Sequence, residues 1–296
     1  MPDLQQAFSD LMADDLTVVD AHRVAGGCIS DAHRVITEDR EGRCGQWFAK
    51  CNQVSFLDNF EAEGDGLTRL LATGTIASPT AEAVGSAADR SWLITRWIEQ
   101  DKPGRDFFER FGHDLAELHR CTCDGRIGLE TDNYLGAARQ VNRACDRWVD
   151  FVAEYRIGFQ LRWGCDQQLV DRNLRESCEQ IVDNLDQILE GRRNQTSLLH
   201  GDLWSGNYLC DRNGRPVILD PAVYYGCREA EFGMLKLFGS CPAGFYDSYQ
   251  QAFPLAAGWQ RRVNVYVLYH LLNHLNQFGS GYHEQCQVMA SRILRQ

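Results

Sequence analysis

An α+β chain in two lobes, small and β-rich first, larger and mainly helical second, is predicted by three observations. Short β-rich runs bounded by Gly, Asp or Ser crowd the first hundred residues. Helical periodicity takes over afterwards. A single Asn-Gly hairpin signal, flanked by an amide and two acids, interrupts the helical part. Strands followed by helices favour segregated layers around a cleft, and the boundary is expected near residue 97, giving lobes 1–97 and 98–296.

The elements follow in order. Leu16 to Arg23, Ala32 to Thr37, Gln46 to Cys51 and Ser91 to Trp97 are the strand candidates. Asp-Ala-His-Arg-Val occurs at 20–24 and again at 31–35, on either side of Gly26-Gly27. Two copies are too few for a solenoid and read as two arms of a hairpin. Phe56, Phe60, Leu67, Leu70 and Leu71 recur at near-helical spacing between the third and fourth strands. Beyond residue 97, Phe107, Phe108, Phe111, Leu115 and Leu118 share one helical face, as do Ile181, Val182, Leu185, Ile188 and Leu189. The uncharged run from Val263 to Tyr282 is broken by Asn, His and Gln, so it reads as a buried helix rather than a membrane span.

With 296 residues, 44% of them hydrophobic, the chain can bury a sizeable core. Its formal net charge of −11 argues against a nucleic-acid or anionic-membrane partner. Twelve cysteines are scattered without any C-x-x-C pair, so neither a zinc site nor a disulfide framework is indicated. The N-terminus has neither the basic nor the apolar segment of a signal peptide, and the expected compartment is the reducing cytoplasm.

The chemistry concentrates in His200-Gly-Asp202-Leu-Trp-Ser-Gly-Asn207 and in Asp220. Protein kinases place an Asp to accept the proton of the attacking hydroxyl and, five residues on, an Asn that holds magnesium. Asp202 and Asn207 have that offset. If Asn213 and Gly214 are the two central residues of the next turn, Asn207 faces Asp220 across the hairpin, and two hard oxygen donors flank one magnesium position. Asp202 is therefore the expected catalytic base, Asn207 and Asp220 the metal ligands, and ATP and Mg2+ the cofactors. Asp220-Pro stands where kinases have Asp-Phe-Gly, so a phenylalanine flip is not available as a switch.

The first lobe has to supply the nucleotide site. Gly26, Gly27, Cys28, Ile29 and Ser30 follow Ala25 in a turn whose backbone N–H groups can approach phosphate oxygens. Lys50 ends a strand as the phosphate-pairing kinase lysine does, and Glu63, with Glu61 competing, lies on the next helix to orient it. Arg96, Trp97 and Ile98 end the last strand, where a hinge reads adenine. Glycine turn, lysine, helix glutamate, hinge, base loop and metal acid stand in the order of the protein-kinase-like fold.

The runs Leu199-His-Gly-Asp-Leu-Trp-Ser-Gly-Asn207, Asp220-Pro-Ala-Val-Tyr-Tyr-Gly-Cys-Arg-Glu-Ala-Glu231 and Tyr269-His-Leu-Leu-Asn-His-Leu-Asn276 closely resemble the fructosamine kinase, or ketosamine 3-kinase, family. The resemblance runs from about Val24 to the C-terminus and includes Asp132-Asn-Tyr134. It implies a kinase-like fold and ATP-dependent phosphorylation of the sugar 3-hydroxyl in ketosamines, the adducts of reducing sugars with amines. A small-molecule or protein-linked glycated amine is then the partner, and loss of the phosphorylated sugar frees the amine. The sequence departs from the family pattern at Ala25, Ser30 and Arg96-Trp97. A kinase for an aminoglycoside, choline or similar hydroxyl substrate would use the same three residues, and a catalytically silent nucleotide-binding scaffold is the alternative of another class.

Four residues are candidates for substrate contact. Trp204, two residues past the base, can stack on sugar or amine, or pack in the core. Tyr224 and Glu229 can line the site or serve as framework. On the last long helix Tyr266, His270, Asn273, His274 and Gln277 share a polar arc. His270 either contacts substrate or joins His274 in hydrogen bonds that support the base loop. Cys28, in the glycine turn, is a candidate redox site that would link a homodimer if its thiolate is stabilised there, and an inert cysteine if it is buried.

Overall fold

The computed structural model describes residues 2–12, 15–24, 29–122 and 124–296. They divide into two compact units, one of residues 1–107 and 206–222, the other of residues 108–205 and 223–296.

The first unit opens with helix α1 (Pro2–Leu11) and strands β1 (Thr17–Arg23), β2 (Asp31–Glu38) and β3 (Cys44–Gln53), continues with helix α2 (Leu57–Ala72), and closes its sheet with β4 (Ala81–Ala87) and β5 (Arg90–Arg96). The sheet is antiparallel, in the order β1-β2-β3-β5-β4. The repeated pentapeptide forms the paired arms of the first hairpin, with His22 opposite Arg34 and Arg23 opposite His33. One sheet face is covered by α1, whose Leu4, Ala7 and Phe8 are buried with Val18, Val35, Trp47, Ala49, Trp92 and Ile94. A fully buried large apolar side chain contributes about 1.5–3 kcal/mol, so Phe8 makes this helix part of the core. Two elements here, α1 and β4, have weak sequence signals. β4 reads Ala-Glu-Ala-Val-Gly-Ser-Ala, poor in β-formers, and is held as an edge strand by β5. A Cβ at its Gly85 would come within 2.6 Å of a terminal methyl of Leu11, the last residue of α1, which would have to turn aside.

The second unit is mostly helical. It begins with α3 (Phe107–Cys121), a short hairpin of β6 (Asn133–Leu135) and β7 (Ala138–Gln140), and α4 (Trp148–Phe151). A π-helical stretch over Val152–Gly158 leads into α5 (Phe159–Asp166). Next come α6 (Arg172–Asp183), capped by the Asp171 side chain on the Leu174 N–H, then α7 (Leu185–Ile188) and β8 (Thr196–Leu199). The chain returns to the first unit for the hairpin β9 (Tyr208–Cys210) and β10 (Pro216–Ile218). Back in the second unit, β11 (Tyr224–Cys227) pairs with β8, and α8 (Phe232–Leu237), α9 (Ala243–Ala252), α10 (Trp259–Phe278) and α11 (His283–Leu294) complete it.

Helix α10 is the axis of this unit and is buried on every side from Arg262 to Asn273. Its polar arc finds partners inside the protein: Trp148 Nε1 donates to Tyr266 Oη at 2.9 Å, Gln160 Nε2 to Asn273 Oδ1 at 3.1 Å, and Gln277 Nε2 to the Leu135 carbonyl at 3.1 Å. Among the described residues, no helix is long and apolar enough to cross a membrane.

Candidate active site

In the first unit the side-chain alternation of β3 sets the site. Trp47, Ala49 and Cys51 point into the core beneath α1, so Lys50 points to the other face, where α2 packs. There Lys50 Nζ lies 2.7 Å from Glu63 Oε1 and 2.7 Å from Asp220 Oδ1. Glu61 is exposed, and the competition between the two helix glutamates resolves on Glu63. Burial disfavours the charge on Lys50, but the Asp220 and Glu63 carboxylates outweigh it and hold the ammonium protonated. Glu63 is pushed up to about 7, by burial first and also by the neighbouring Asp220 charge, against the pull of Lys50. Two acids share one base, and the cluster carries excess negative charge.

Asp220 reaches this position by a different route from the one expected. The hairpin pairs Cys210 with Pro216, Leu209 with Val217 and Tyr208 with Ile218, a register in which Asn213 is the midpoint. Asp211 N–H donates to the Arg215 carbonyl, Gly214 N–H to the Asp211 carbonyl, and Gly214 has φ of 75°. This is the three-residue loop with a glycine bulge rather than a two-residue turn. The pairing is thus shifted by one residue: Leu219 N–H donates to the Asn207 carbonyl at 2.9 Å, and Asn207 faces Leu219, not Asp220. Asp220 leaves the strand through a left-handed backbone, φ 54°, unusual for a residue with a Cβ and of the kind stored at functional sites. Its side chain remains 45% exposed although one oxygen is on Lys50.

The hairpin is fastened within the first unit. Ser78 Oγ and the Ala77 carbonyl bond the Ile218 backbone, while Glu99 and Asp101 bond the backbones of Arg212 and Cys210. The same 96–101 segment is the hinge candidate. Arg96 lies over the Trp47 ring and pairs with Glu82, so its side chain is spent on the sheet surface. Trp97 is flanked by the Arg34 guanidinium, and its N–H donates to the Gln46 carbonyl at 3.1 Å. Ile98 N–H makes no hydrogen bond among the described residues. Ile29 and Ser30 are held by Asn52, whose Nδ2 donates to the Ile29 carbonyl and to Ser30 Oγ, both at 3.0 Å. Gly26, Gly27 and Cys28, and with them the redox candidate, lie outside the described residues.

The second unit holds the loop of Asp202. Glu231, in the turn after β11, accepts the N–H of His200 at 2.6 Å on one oxygen and that of Gly201 at 3.1 Å on the other. His200 Nδ1 in turn accepts the Asp202 N–H at 3.2 Å, and Gly201 carries φ of 84° to bring these groups around. Burial alone would raise the Glu231 carboxyl; His119, His200 and the backbone donors outweigh it and keep the group ionised. His119 Nε2 lies 3.5 Å from Glu231, and its Nδ1 meets Tyr249 Oη at 2.8 Å. The loop is thus anchored by Glu231 and His119, not by the histidines of α10: His274 bonds the His270 carbonyl of its own helix, and buried His270 Nδ1 makes no hydrogen bond among the described residues. Glu231 closes the Asp220–Glu231 run, but no spacing rule marks an acid 29 residues past Asp202 as the anchor of its loop.

Trp204 is half-buried, its ring 5.4 Å from that of Phe238, which in turn lies 5.1 Å from His274. Tyr224 is buried, stacked on Trp148 on one side and under the Arg156 guanidinium, 4.2 Å from its ring, on the other. Arg156 also donates to Asn142, and Asn142 and Gln140 both donate to Asn133 of the Asp132-Asn-Tyr134 motif.

The model of the fructosamine kinase family matches residues 1–296. The chain belongs to the fructosamine kinase family. A probable ketoamine kinase of Synechocystis sp. is 37% identical over 294 residues, covering 99% of this chain and 96% of that one. A chloroplastic protein-ribulosamine 3-kinase of Oryza sativa subsp. indica is 37% identical, covering 92% of this chain and 78% of its own length. The crystal structure of a putative fructosamine-3-kinase from Thermobifida fusca superposes with a TM-score of 0.84 at 29% identity, covering 97% of both chains. An aminoglycoside phosphotransferase solved with ADP and hygromycin B gives a TM-score of 0.64 at 19% identity, covering 94% of this chain and 93% of that one, and shares the fold. The expected α+β, protein-kinase-like fold is therefore the observed one, and a kinase of this family takes ATP as its phosphoryl donor.

Proposed function

We propose that the chain is an ATP-dependent ketosamine 3-kinase in which Asp202 accepts the proton of the sugar 3-hydroxyl. The observation that carries this reading is Lys50 held at 2.7 Å by both Glu63 and Asp220, the ion-pair arrangement that positions ATP phosphates in kinases. Membership of a family whose relatives are named ketoamine and ribulosamine 3-kinases supports the substrate class, a glycated amine either free or on a protein.

Each residue has a task in that reaction. Lys50 pairs with phosphate oxygens, and Glu63 keeps its ammonium aimed. Ile29 and Ser30 lead out of the glycine turn, where Gly26, Gly27 and Cys28 would offer backbone N–H groups to the phosphates. Ile98 N–H, the hinge donor left over after Trp97 is engaged by Gln46, reads adenine. The donor set of Asn207 and Asp220 fits a hard cation: an amide oxygen and a carboxylate whose second oxygen is not on Lys50 suit Mg2+, which keeps phosphate and water oxygens for the rest of its shell. When bound, that ion neutralises charge on the transferred phosphoryl group. Glu231 and His200 fix the backbone around Asp202, so the carboxylate needs little reorganisation to take the hydroxyl proton. Trp204 stacks on the substrate, backed by Phe238 and, from α10, His274, and the buried His270 and Tyr224 serve as framework.

The test is a coupled ADP-release assay across fructosamine, ribulosamine and erythrulosamine adducts, with the parent amines, choline and an aminoglycoside as controls. Turnover confined to the ketosamines, with product carrying a 3-phosphate by phosphorus NMR, is the expected result. Turnover on choline or the aminoglycoside alone would overturn the substrate assignment, and no nucleotide turnover with any acceptor would favour the silent scaffold.

A further inference from the structure

The sheet face that carries Lys50 continues past the Glu63–Asp220 clamp. Residues directly opposite each other on antiparallel strands share a face, and every second residue returns to it. Ala32 stands opposite Lys50, and Arg34 stands opposite Phe48. The other face is the one closed by α1, through Val35, Trp47, Ala49 and Ile94. Phe48 and Arg34 therefore lie on the Lys50 side, one strand repeat or about 7 Å along from it. In the opposite direction the next residue of this face, Asn52, is spent on Ile29 and Ser30. A nucleotide whose phosphates meet Lys50 then lays its base toward Phe48 and Arg34, the end at which the 96–101 segment leaves the sheet.

Arg34 is fixed at that spot. Its Nη2 donates to Gln46 Oε1 at 2.5 Å and to Glu99 Oε1 at 3.0 Å, and its guanidinium carbon lies 4.8 Å from the centroid of the Trp97 ring. The Phe48 and Trp97 rings are 6.4 Å apart. The half-buried side chain thus bridges β2, β3 and the hinge segment, all within the first unit. Arg34 Nε and Trp97 Nε1 are both buried without a hydrogen-bond partner among the described residues. Two donors left over in one place call for an acceptor that the protein does not supply, and the ring nitrogens of a purine accept. A planar guanidinium held beside aromatic rings also stacks on a base, which a lysine in its place could not do.

We propose that Arg34 is the base-contact residue of the nucleotide site, closing the rim between β2 and the hinge segment and stacking its guanidinium on the purine beside Phe48 and Trp97. This contact presupposes ATP bound at Lys50, the function proposed above, and is separate from the phosphates. Arg96, the neighbouring cation, lies over Trp47 on the α1 side and takes no part in it.

The experiment titrates magnesium-ADP, and magnesium-tripolyphosphate, which has no base, into the full chain by calorimetry, for the native protein and for Arg34→Met, Arg96→Met and Lys50→Met. Arg34→Met is expected to weaken ADP by about tenfold while tripolyphosphate affinity and the melting temperature stay as they are. With ATP as donor the same variant raises KM and spares kcat. Arg96→Met should change neither ligand, and Lys50→Met should weaken both. Unchanged ADP affinity in Arg34→Met would overturn the assignment. So would an equal loss of ADP and tripolyphosphate, which would make Arg34 a phosphate contact, or an equal loss of ADP in Arg96→Met, which would reduce the effect to surface charge. Failure of the underlying function has a different signature: Lys50→Met then binds tripolyphosphate as the native chain does, and the base contact falls with it.

Discussion

The Lys50 cluster of the first unit and the Arg262–Glu229 pair of the second are both close cation–carboxylate contacts, yet they are built to opposite ends. Arg262 meets Glu229 in a fork, at 2.6 and 2.8 Å, with side-chain exposures of 2% and 3%. Its remaining donors go to the carbonyls of Glu190, Ala256 and Ala257. One acid meets one base, and the guanidinium is satisfied without a ligand. Lys50 instead faces two acids, one of them on a left-handed residue and 45% exposed. That cluster has charge left over and an open side. The difference separates an ion pair that serves stability from one that, on the proposed function, is arranged to meet phosphate and metal.

The largest effect is expected where the closed pair is broken. Arg262→Ala strands a buried carboxylate and should cost about 3–5 kcal/mol in urea unfolding, while the fraction that folds keeps its turnover. A loss below about 1 kcal/mol would mean that the pair is not closed as described. Next comes the open cluster: Asp220→Ala should lower turnover by roughly 10²-fold or more and change the magnesium dependence, with only a small shift in unfolding midpoint. An unchanged magnesium titration would remove Asp220 from the metal site. The smallest effect sharpens the contrast in burial. His119 and His270 are held neutral, chiefly by burial, with folded pKa values below the ordinary 6.5. The unfolded chain therefore binds more protons as pH falls, and the stability present above about 6.5 is lost progressively below it, by at most about 1.4 kcal/mol per pH unit for each histidine. Melting temperature should drop between pH 7.5 and 5.5, and less so in His270→Met; equal slopes would place the linkage elsewhere.

Much of this was legible in the residues. Strand runs, the α2 periodicity and the repeated pentapeptide marked the first hairpin and the lysine strand, because alternation and helical spacing are local signals. The Asn213-Gly214 pair marked a hairpin but not its register: the sharp two-residue turn falls instead at Ala88-Asp89, both with positive φ, in a sequence without a turn signature. Edge strand β4 and helix α1 gave little signal, since each is defined by what it packs against. Lys50 and Glu63 pair as expected. Glu231 and His119, which hold the loop around Asp202, carry no local sequence signal, because their meaning comes from contacts between residues up to 112 positions apart, such as His119 and Glu231 themselves. For the polar arc of α10, periodicity showed that partners were needed, but not which ones.

The most direct test of the account is phosphoryl transfer to a purified fructosamine by the native chain and by Asp202→Asn, followed by phosphorus NMR together with a separate nucleotide-binding titration. A 3-phosphate product is expected from the native chain and a turnover lower by roughly 10²-fold or more from the variant, with nucleotide affinity nearly intact, because only the proposed proton-accepting carboxylate has been removed. Near-native turnover in Asp202→Asn would contradict the account.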